Sequence, residues 1–574
     1  MTADTGSGKG EEMPRQVARF DQFEVDLRSH ELRKGGVRVR LQDQPFQILT
    51  MLLDRAGDVV TREEIRDRLW PDGTFVDFEH SMNAAIKRLR AALGDTAESP
   101  RFVETMHRRG YRFIATVEQP GGPVGTVDVS STLSRPRLVV LPFANLGTDT
   151  PDYFSDGLTE EMIMQLGRRC ASRLGVLART SSMLYKNVVR GASDIGEALR
   201  ADYLVEGSVL RAGQRLRINI RLIRVRDDMP VWSGQFDRQL IDVFAIHEEI
   251  SRNIVNNLRL TLGRGRRRYE TGTKAYEAYL HARAITVKWG PEDLSESVNL
   301  FQDVIAKDPS FVPAYAGLAS TQAFLSARRE DEPDREVQLA GMRAAAQKAI
   351  ELDPLLAEAH DALGSAYARE GKWDLAEKSF RRAIQLDPSN GDTRSHFALF
   401  LLMPLGRIEE AVGQALVAER NDPLSPRVRL ALANTLITAR RYNEAAQNCL
   451  KLPREHPYAA ECLGRARVGQ GRLDEAIDIL GAASNPGYLG YAYAKAGRRR
   501  EAEKMAAETR PTRSFELALI FAGLGDTNRT LDALEGMSQT GPARVGRDLN
   551  YPQFTFLRGH PRLKAFRSRL GLPQ

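Results

Sequence analysis

Glu79-His80-Ser81-Met82-Asn83-Ala84-Ala85-Ile86-Lys87-Arg88-Leu89-Arg90-Ala91-Ala92-Leu93 is the stretch on which the fold turns. Met82, Ile86, Leu89 and Leu93 recur at spacings of four, three and four, which predicts a helix over 79–93 with one buried stripe. Gly94 follows directly and supplies a stop. At about 100° per residue the opposite face carries His80, Ser81, Ala84, Lys87, Arg88 and Ala91, with Asn83 and Arg90 on the flanks. A packed back and a front of small and cationic residues fit a DNA major groove, where arginine reads guanine edges and small residues allow close approach. The plainer alternative for such a face is a solvated charged surface. The neighbouring segments decide between the two.

Before this helix, Phe23–Asp26 and Val37–Leu41 alternate like short strands, and Phe46, Leu49, Leu52 and Leu53 show helical periodicity. Thr61 followed by Glu64 has capping-box spacing and opens a second helix ending near Trp70, before Pro71, Asp72 and Gly73 break the chain. After it, 102–106 and 111–116 alternate like two strands joined by His107-Arg108-Arg109-Gly110. The doubly basic tip suits phosphates or a minor groove. Residues 1–115 hold 19 Lys and Arg against 19 Asp and Glu, so the positive charge of this segment is a matter of placement on that helix and hairpin. Strands, three helices and a basic hairpin, in that order, are a winged-helix layout.

Val60-Thr61-Arg62-Glu63-Glu64-Ile65, Ile86-Lys87-Arg88-Leu89-Arg90 and Gly110-Tyr111-Arg112-Phe113 carry a specific resemblance. On these motifs, residues 17–116 resemble the winged-helix output domain of OmpR/PhoB-type response regulators and of one-component regulators of CadC and ToxR type. The resemblance implies that 79–93 is the recognition helix, with His80, Ala84 and Arg88 at base-facing and phosphate-facing positions, and that 107–110 is the wing. It also implies that the loop 71–78, with Asp72, Gly73, Thr74 and Phe75, is a candidate RNA polymerase contact. Family members often carry a larger polar or cationic residue where Ala85 stands, so the recognised base sequence does not transfer. No receiver-like segment precedes the winged helix, and control by aspartyl phosphorylation in cis is not expected.

Residues 117–134 are rich in Gly, Pro, Ser and Thr and read as a flexible linker. Within 135–262 the apolar run Leu138–Phe143 predicts a strand covered on both faces. Helices are expected near 157–169 and 195–199, strands at 176–179, 203–210, 215–225 and 231–236, and a last helix over 243–262. The result is an α/β domain with a mixed sheet. Val140-Leu141-Pro142-Phe143, Phe154–Glu160, Ala178–Ser182, Leu204–Ser208 and the Trp232 strand resemble the TolB N-terminal-like domain of bacterial regulators, which also occurs beside some adenylate cyclases. Asp156, Glu160, Glu161 and Glu206 are read as helix-capping and first-turn carboxylates, not as a binding site.

Gly263-Arg264-Gly265-Arg266-Arg267-Arg268 marks a second, basic linker over 263–274. Beyond it, over 275–574, Pro354, Pro388, Pro423 and Pro457 lie 34, 35 and 34 residues apart, the tetratricopeptide period. The repeat ending at Pro388 has the full pattern of Leu363, Gly364, Tyr367, Ala376, Phe380 and Ala383. Degenerate repeats continue through Gly471, Gly497 and Gly525, giving seven to nine helix pairs. The apolar tail 551–572 is expected to cap an all-α solenoid whose concave face takes a protein or peptide.

At 574 residues, 42% apolar and 27% charged, the chain has globular composition, and three or four domains are the natural expectation. Cys170, Cys449 and Cys462 are too scattered for a disulfide framework and read as packed thiols in a reducing compartment. No stretch reaches the roughly 20 apolar residues of a membrane span. Gly6–Gly10 only superficially suggests a phosphate loop, and nine dispersed histidines show no metal spacing. We therefore expect a cytoplasmic, non-enzymatic regulator without metal or cofactor, contacting double-stranded DNA through His80, Ser81, Ala84, Lys87, Arg88, Arg108 and Arg109. A homodimer on paired half-sites is a candidate assembly. The alternative is a scaffold that recruits partners through its solenoid and is merely tethered to DNA.

Overall fold

The computed structural model describes residues 17–20, 23–26, 31–34, 37–55, 59–69, 78–96, 100, 102–106, 110–115, 135–147, 150–170, 173–188, 190–258, 269–286, 291–328, 335–483 and 485–573. The glycine-rich start, the loop at 71–77, the wing tip with Arg108 and Arg109, the linker 117–134 and the arginine run 264–268 lie outside them. The chain forms two compact units, 1–126 and 127–574.

In the first unit, β1 (Val17–Phe20), β2 (Phe23–Asp26), β3 (Glu31–Lys34) and β4 (Val37–Val39) form an antiparallel sheet. Helices α1 (Asp43–Asp54), α2 (Arg62–Leu69) and α3 (Phe78–Leu93) follow, and β5 (Val59–Thr61) joins β6 (Val103–Met106) and β7 (Gly110–Phe113) in a sheet of order β5-β7-β6. The capping box forms as its spacing predicts. Thr61 N–H donates to Glu64 Oε2 at 2.7 Å, and Glu64 N–H donates to Thr61 Oγ1 at 3.1 Å. Arg55 donates to the same carboxylate, which is held down to about 2 by that bond and by the Thr61 amide. Gly110 is demanded by close approach, because a Cβ there would sit 2.0 Å from the Val60 carbonyl oxygen. Phe20, Phe23, Phe102 and Phe113 pack edge-on and stacked, tying the first sheet to the wing strands.

The second unit opens with the α/β domain: β8 (Arg137–Val140), β9 (Ala144–Asn145), α4 (Asp152–Cys170), β10 (Gly175–Val176), α5 (Arg179–Met183), α6 (Ala192–Leu199), β11 (Tyr203–Ala212), β12 (Arg215–Arg224), β13 (Met229–Gln239) and α7 (Val243–Asn257). The strand order is β10-β8-β11-β12-β13, parallel around β8 and antiparallel from β11 onward. Leu216, Ile218, Ile220 and Leu222 send one face of β12 into the core beneath α4 and α7. His247 of α7 lies wholly inside, with neither ring nitrogen bonded, and burial alone pushes its imidazole down to about 4.

Sequence boundaries suggested an α/β domain joined to the solenoid by a linker, whereas the two share one core. It runs from β8, β11 and β12 through α4 and α7 into the helices Thr273–Thr286 to Ala357–Arg369. Gly157 sits inside α4 because a Cβ there would come 2.6 Å from Leu280. Ser181 donates its N–H and hydroxyl to Asp422 Oδ1 at 3.1 and 2.5 Å, while Leu424 N–H donates to Ser181 Oγ at 2.9 Å. The helix-capping reading of the acidic residues is corrected here. α4 begins at Asp152, so Asp156 and Glu160 are interior: Asp156 pairs with Lys186 at 2.8 Å, and Glu160 joins Arg179 and Arg283. Glu161 accepts from Gln165 at 2.9 Å, and Glu206 pairs with Arg221 at 2.9 Å. Apart from Gln165, one turn along the same helix, these partners come from elsewhere in the fold, which local spacing does not reveal.

Eight helix pairs are present among the described residues, from Thr273–Lys307 to Ser514–Gly536. Trp373–Leu386 ends at Asp387, immediately before Pro388, as the proline period requires. A Cβ on Gly364 would already meet Phe380 at 3.0 Å, so the small residue sets the helix approach. The tail 551–572, together with the helix Pro542–Leu549 before it, does more than cap an end. Pro542–Leu549 packs on Ala357–Arg369 and on Phe397–Leu402. Asn550 donates to the Met403 carbonyl at 2.8 Å, the Arg465 guanidinium lies over both Tyr488 and Tyr551, and Phe515 meets Tyr551 and Phe554. Trp373 donates its indole N–H to the Gly571 carbonyl at 2.7 Å. The tail therefore lies against the first helices of several pairs.

The cysteine reading is also corrected. Cys449, ending Tyr442–Cys449, and Cys462, in the first turn of Ala459–Gly469, are disulfide-bonded with their Cα atoms 5.7 Å apart. The helical hairpin brings together residues whose separation of 13 looked scattered. Among the described residues no helix is long and apolar enough to cross a membrane, and no group of three His, Cys, Asp or Glu side chains could hold a metal.

Candidate nucleic-acid interface

Helix α3 is anchored before it is functional. Met82, Ala85, Ile86, Leu89 and Leu93 are buried among Phe46, Leu49 and Phe113. Ala85 is 1% exposed, so any larger side chain there would enter the core. Arg90, placed on a flank by the helical wheel, is inside, donating to the Val103 carbonyl at 2.7 Å and to Thr105 Oγ1 at 2.8 Å. Asn83 accepts from the Tyr111 hydroxyl at 2.8 Å. These bonds pin the helix to β6 and β7. Asp95 N–H donates to the Arg90 carbonyl at 2.9 Å while Gly94 adopts φ +66, ending the helix where Gly94 predicts.

The opposite face is outward. Ser81 and Ala84 are half-buried, and Lys87, Arg88 and Ala91 are exposed. His80 belongs to α3 by its backbone, but its side chain is outside the described set. Arg88 donates to Gln42 Oε1 at 2.7 Å, at the residue preceding α1. That bond steadies the base of the guanidinium and uses one of its five N–H donors. Neither Lys87 nor Arg88 has a carboxylate partner among the described residues, so this outward face keeps both positive charges. Arg112, by contrast, is paired across the wing strands with Glu104, as the register of β6 and β7 dictates. Of the residues expected on DNA, α3 brings together Ser81, Ala84, Lys87 and Arg88. Arg108, Arg109, Asp72, Gly73, Thr74 and Phe75 fall outside the described residues. Gln42 was missed, standing 46 residues from Arg88 and visible only through the packing of α1 on α3.

Three family models match. "Transcriptional regulatory protein, C terminal" matches residues 36–113, "HilA/YgeH-like transcriptional regulator, second domain" matches 134–253, and "Tetratricopeptide repeat" matches 357–390. The second supplies the family label for the stretch read as TolB-like. The chain is 33% identical over 252 residues to "Putative adenylate cyclase 3" of Rhizobium meliloti, and the match spans only 42% of that protein and 42% of this one. It is 24% identical over 444 residues to the transcriptional regulator HilA of Salmonella typhimurium, with 75% of each chain covered. It is 36% identical over 157 residues to the cholera toxin transcriptional activator of Vibrio cholerae, covering 26% of this chain and 53% of that one. With matches to an OmpR/PhoB-type winged helix, a HilA-like second domain and a tetratricopeptide repeat in one chain, this protein is similar to the ToxR/HilA-type transcriptional regulators.

Proposed function

We propose that this regulator reads a specific DNA sequence by laying the outward face of α3 in a major groove. Ser81 and Ala84 permit close approach, Arg88 reads a guanine edge, and Lys87 and His80 hold phosphates or neighbouring edges. The wing 107–110 adds Arg108 and Arg109 on the backbone or minor groove, and 72–75 contacts RNA polymerase. The carrying observation is the pair of exposed cations, without a carboxylate partner among the described residues, on a helix whose other face is locked into the core. The protein acts in the cytoplasm without a catalytic step of its own, and its resemblance to a cyclase belongs to a shared part of the two chains. The α/β domain and solenoid serve as one regulatory body, since they share a core. Its protein partners use surfaces other than those covered by the tail, and a homodimer on paired half-sites is the favoured assembly.

Arg88→Ala is expected to cost roughly 1–3 kcal/mol at the specific site and to relax selectivity at one base position. Lys87→Ala should weaken binding to all sequences alike and lower the salt slope by about 1. Footprinting and salt titration of the full chain distinguish these. An Arg88→Ala footprint identical to wild type removes the groove assignment.

A further inference from the structure

Many solenoid arginines sit on carboxylates: Arg407 on Glu377, Arg441 on Glu444, Arg562 on Asp532 and Glu535. At the seam where β8 meets the fourth helix pair the pattern changes. Arg137 donates to the carbonyls of Leu199 at 3.3 Å and Arg420 at 2.6 Å. Arg394 donates to the Pro388 carbonyl at 3.1 Å and to Gln414 Oε1 at 2.6 Å. Asn421 donates to that same Pro388 carbonyl at 3.2 Å, so Arg394 meets the end of Ile408–Asn421, where Arg420 stands. Two nitrogens of Arg420, Nε among them, are buried with no hydrogen-bond partner.

The charge of Arg420 thus acts on both Arg137 and Arg394, and none of the three makes an ion pair with a carboxylate among the described residues. Carbonyls at helix ends offset part of this charge, but not three full cations in a partly dried seam. Burial, then the charges of Arg420 and Arg135, push Arg394 down to about 10 despite nearby Asp387. Burial, then Arg200, lower Arg137 against the pull of Asp202 and Glu419, and burial lowers Arg420 against Glu419.

We propose that this seam is an anion site in which Arg394 and Arg420, assisted by Arg137, take the phosphate group of a small phosphorylated ligand. The three cations come from a strand, the start of one helix and the end of another, so their N–H groups approach from different directions. That arrangement suits a tetrahedral dianion better than a planar carboxylate. Bound there, the phosphate touches both the α/β domain and the solenoid. The site is independent of the DNA reading, and either can fail alone.

The test uses the full chain without DNA, titrated with inorganic phosphate or pyrophosphate against chloride at matched ionic strength, with citrate as the carboxylate arm. Phosphate at about ten times its dissociation constant should raise the midpoint of thermal unfolding by about 2–4 °C and slow hydrogen exchange at 137–140, 388–394 and 417–424. Arg420→Gln should fold normally, because the unpartnered Nε and terminal nitrogen have no bonds to lose, and should lose the phosphate response. Arg394→Gln should weaken the response at least about tenfold in phosphate concentration, as loss of one charge-assisted contact implies. The proposal is overturned by an absent wild-type response, an undiminished response in Arg420→Gln, or protection confined to 17–115. An equal response to citrate overturns the phosphate assignment.

Discussion

Removing residues 542–574 should abolish cooperative unfolding of the later solenoid, not merely shorten it. The deleted segment supplies Val545, Leu549, Tyr551, Phe554, Leu557, Leu563, Phe566 and Leu572 to a core shared with Ala368, Phe380, Phe397 and Leu401. At about 1.5–3 kcal/mol for each of these large buried side chains, the gross loss is on the order of 12–24 kcal/mol. That equals or exceeds the roughly 5–15 kcal/mol by which whole domains are stable. The guanidinium of Arg465, 6% exposed, would also lose Tyr551 from one face. Circular dichroism in urea should show the later repeats losing helix at denaturant concentrations where the full chain is folded. Limited proteolysis should cut within 391–541. A truncated chain that melts in the same transition as the intact one would mean the tail is an appendage.

The second large effect is on pH dependence. His247 is neutral and enclosed, and its imidazole is held near 4 against an ordinary value of about 6.5. The unfolded chain therefore binds a proton that the folded chain refuses. Stability is fully present above about 6.5 and is lost as pH falls toward 4, by roughly 3 kcal/mol for this one group. Asp422 has the opposite sign. Burial pushes its carboxyl up to about 6, so its contribution weakens as pH rises through that value. The informative quantity is accordingly the difference between wild type and His247→Leu. That variant gives up no side-chain hydrogen bond, since neither ring nitrogen has a partner. The stability difference measured by urea unfolding should be small at pH 7.5 and should favour the variant by a few kcal/mol near pH 4.5. A difference that stays constant across this range would show that the imidazole is hydrated.

What could be read before any coordinates was what depends on local spacing. The α3 stripe, the Thr61 and Glu64 box and the Gly94 stop rest on residues within a few turns of one another, and the Pro388 period on a regular spacing of 34 or 35 residues along the chain. What could not be read depends on long-range packing. Ala85 looks neutral on a helical wheel, yet its neighbours put it in the core. Arg90 stands on a flank of the wheel, and only β6, with the Val103 carbonyl, shows that it is inside. Ser181 and Asp422 are 241 positions apart, and no periodicity links them. The tail's apolar residues announced that it packs somewhere, but its place against Met403 and Tyr488 follows from the superhelical path of repeats that share no local signal with it. Of the interface, the outward cations were legible and the Gln42 support was not.

The most direct measurement is selection of duplexes by the full chain from a random pool, run in parallel with Arg88→Ala. The account predicts that the wild type enriches one defined motif containing a guanine at which the variant loses preference. Enrichment of no motif, or of the same motif at every position by both proteins, would contradict it.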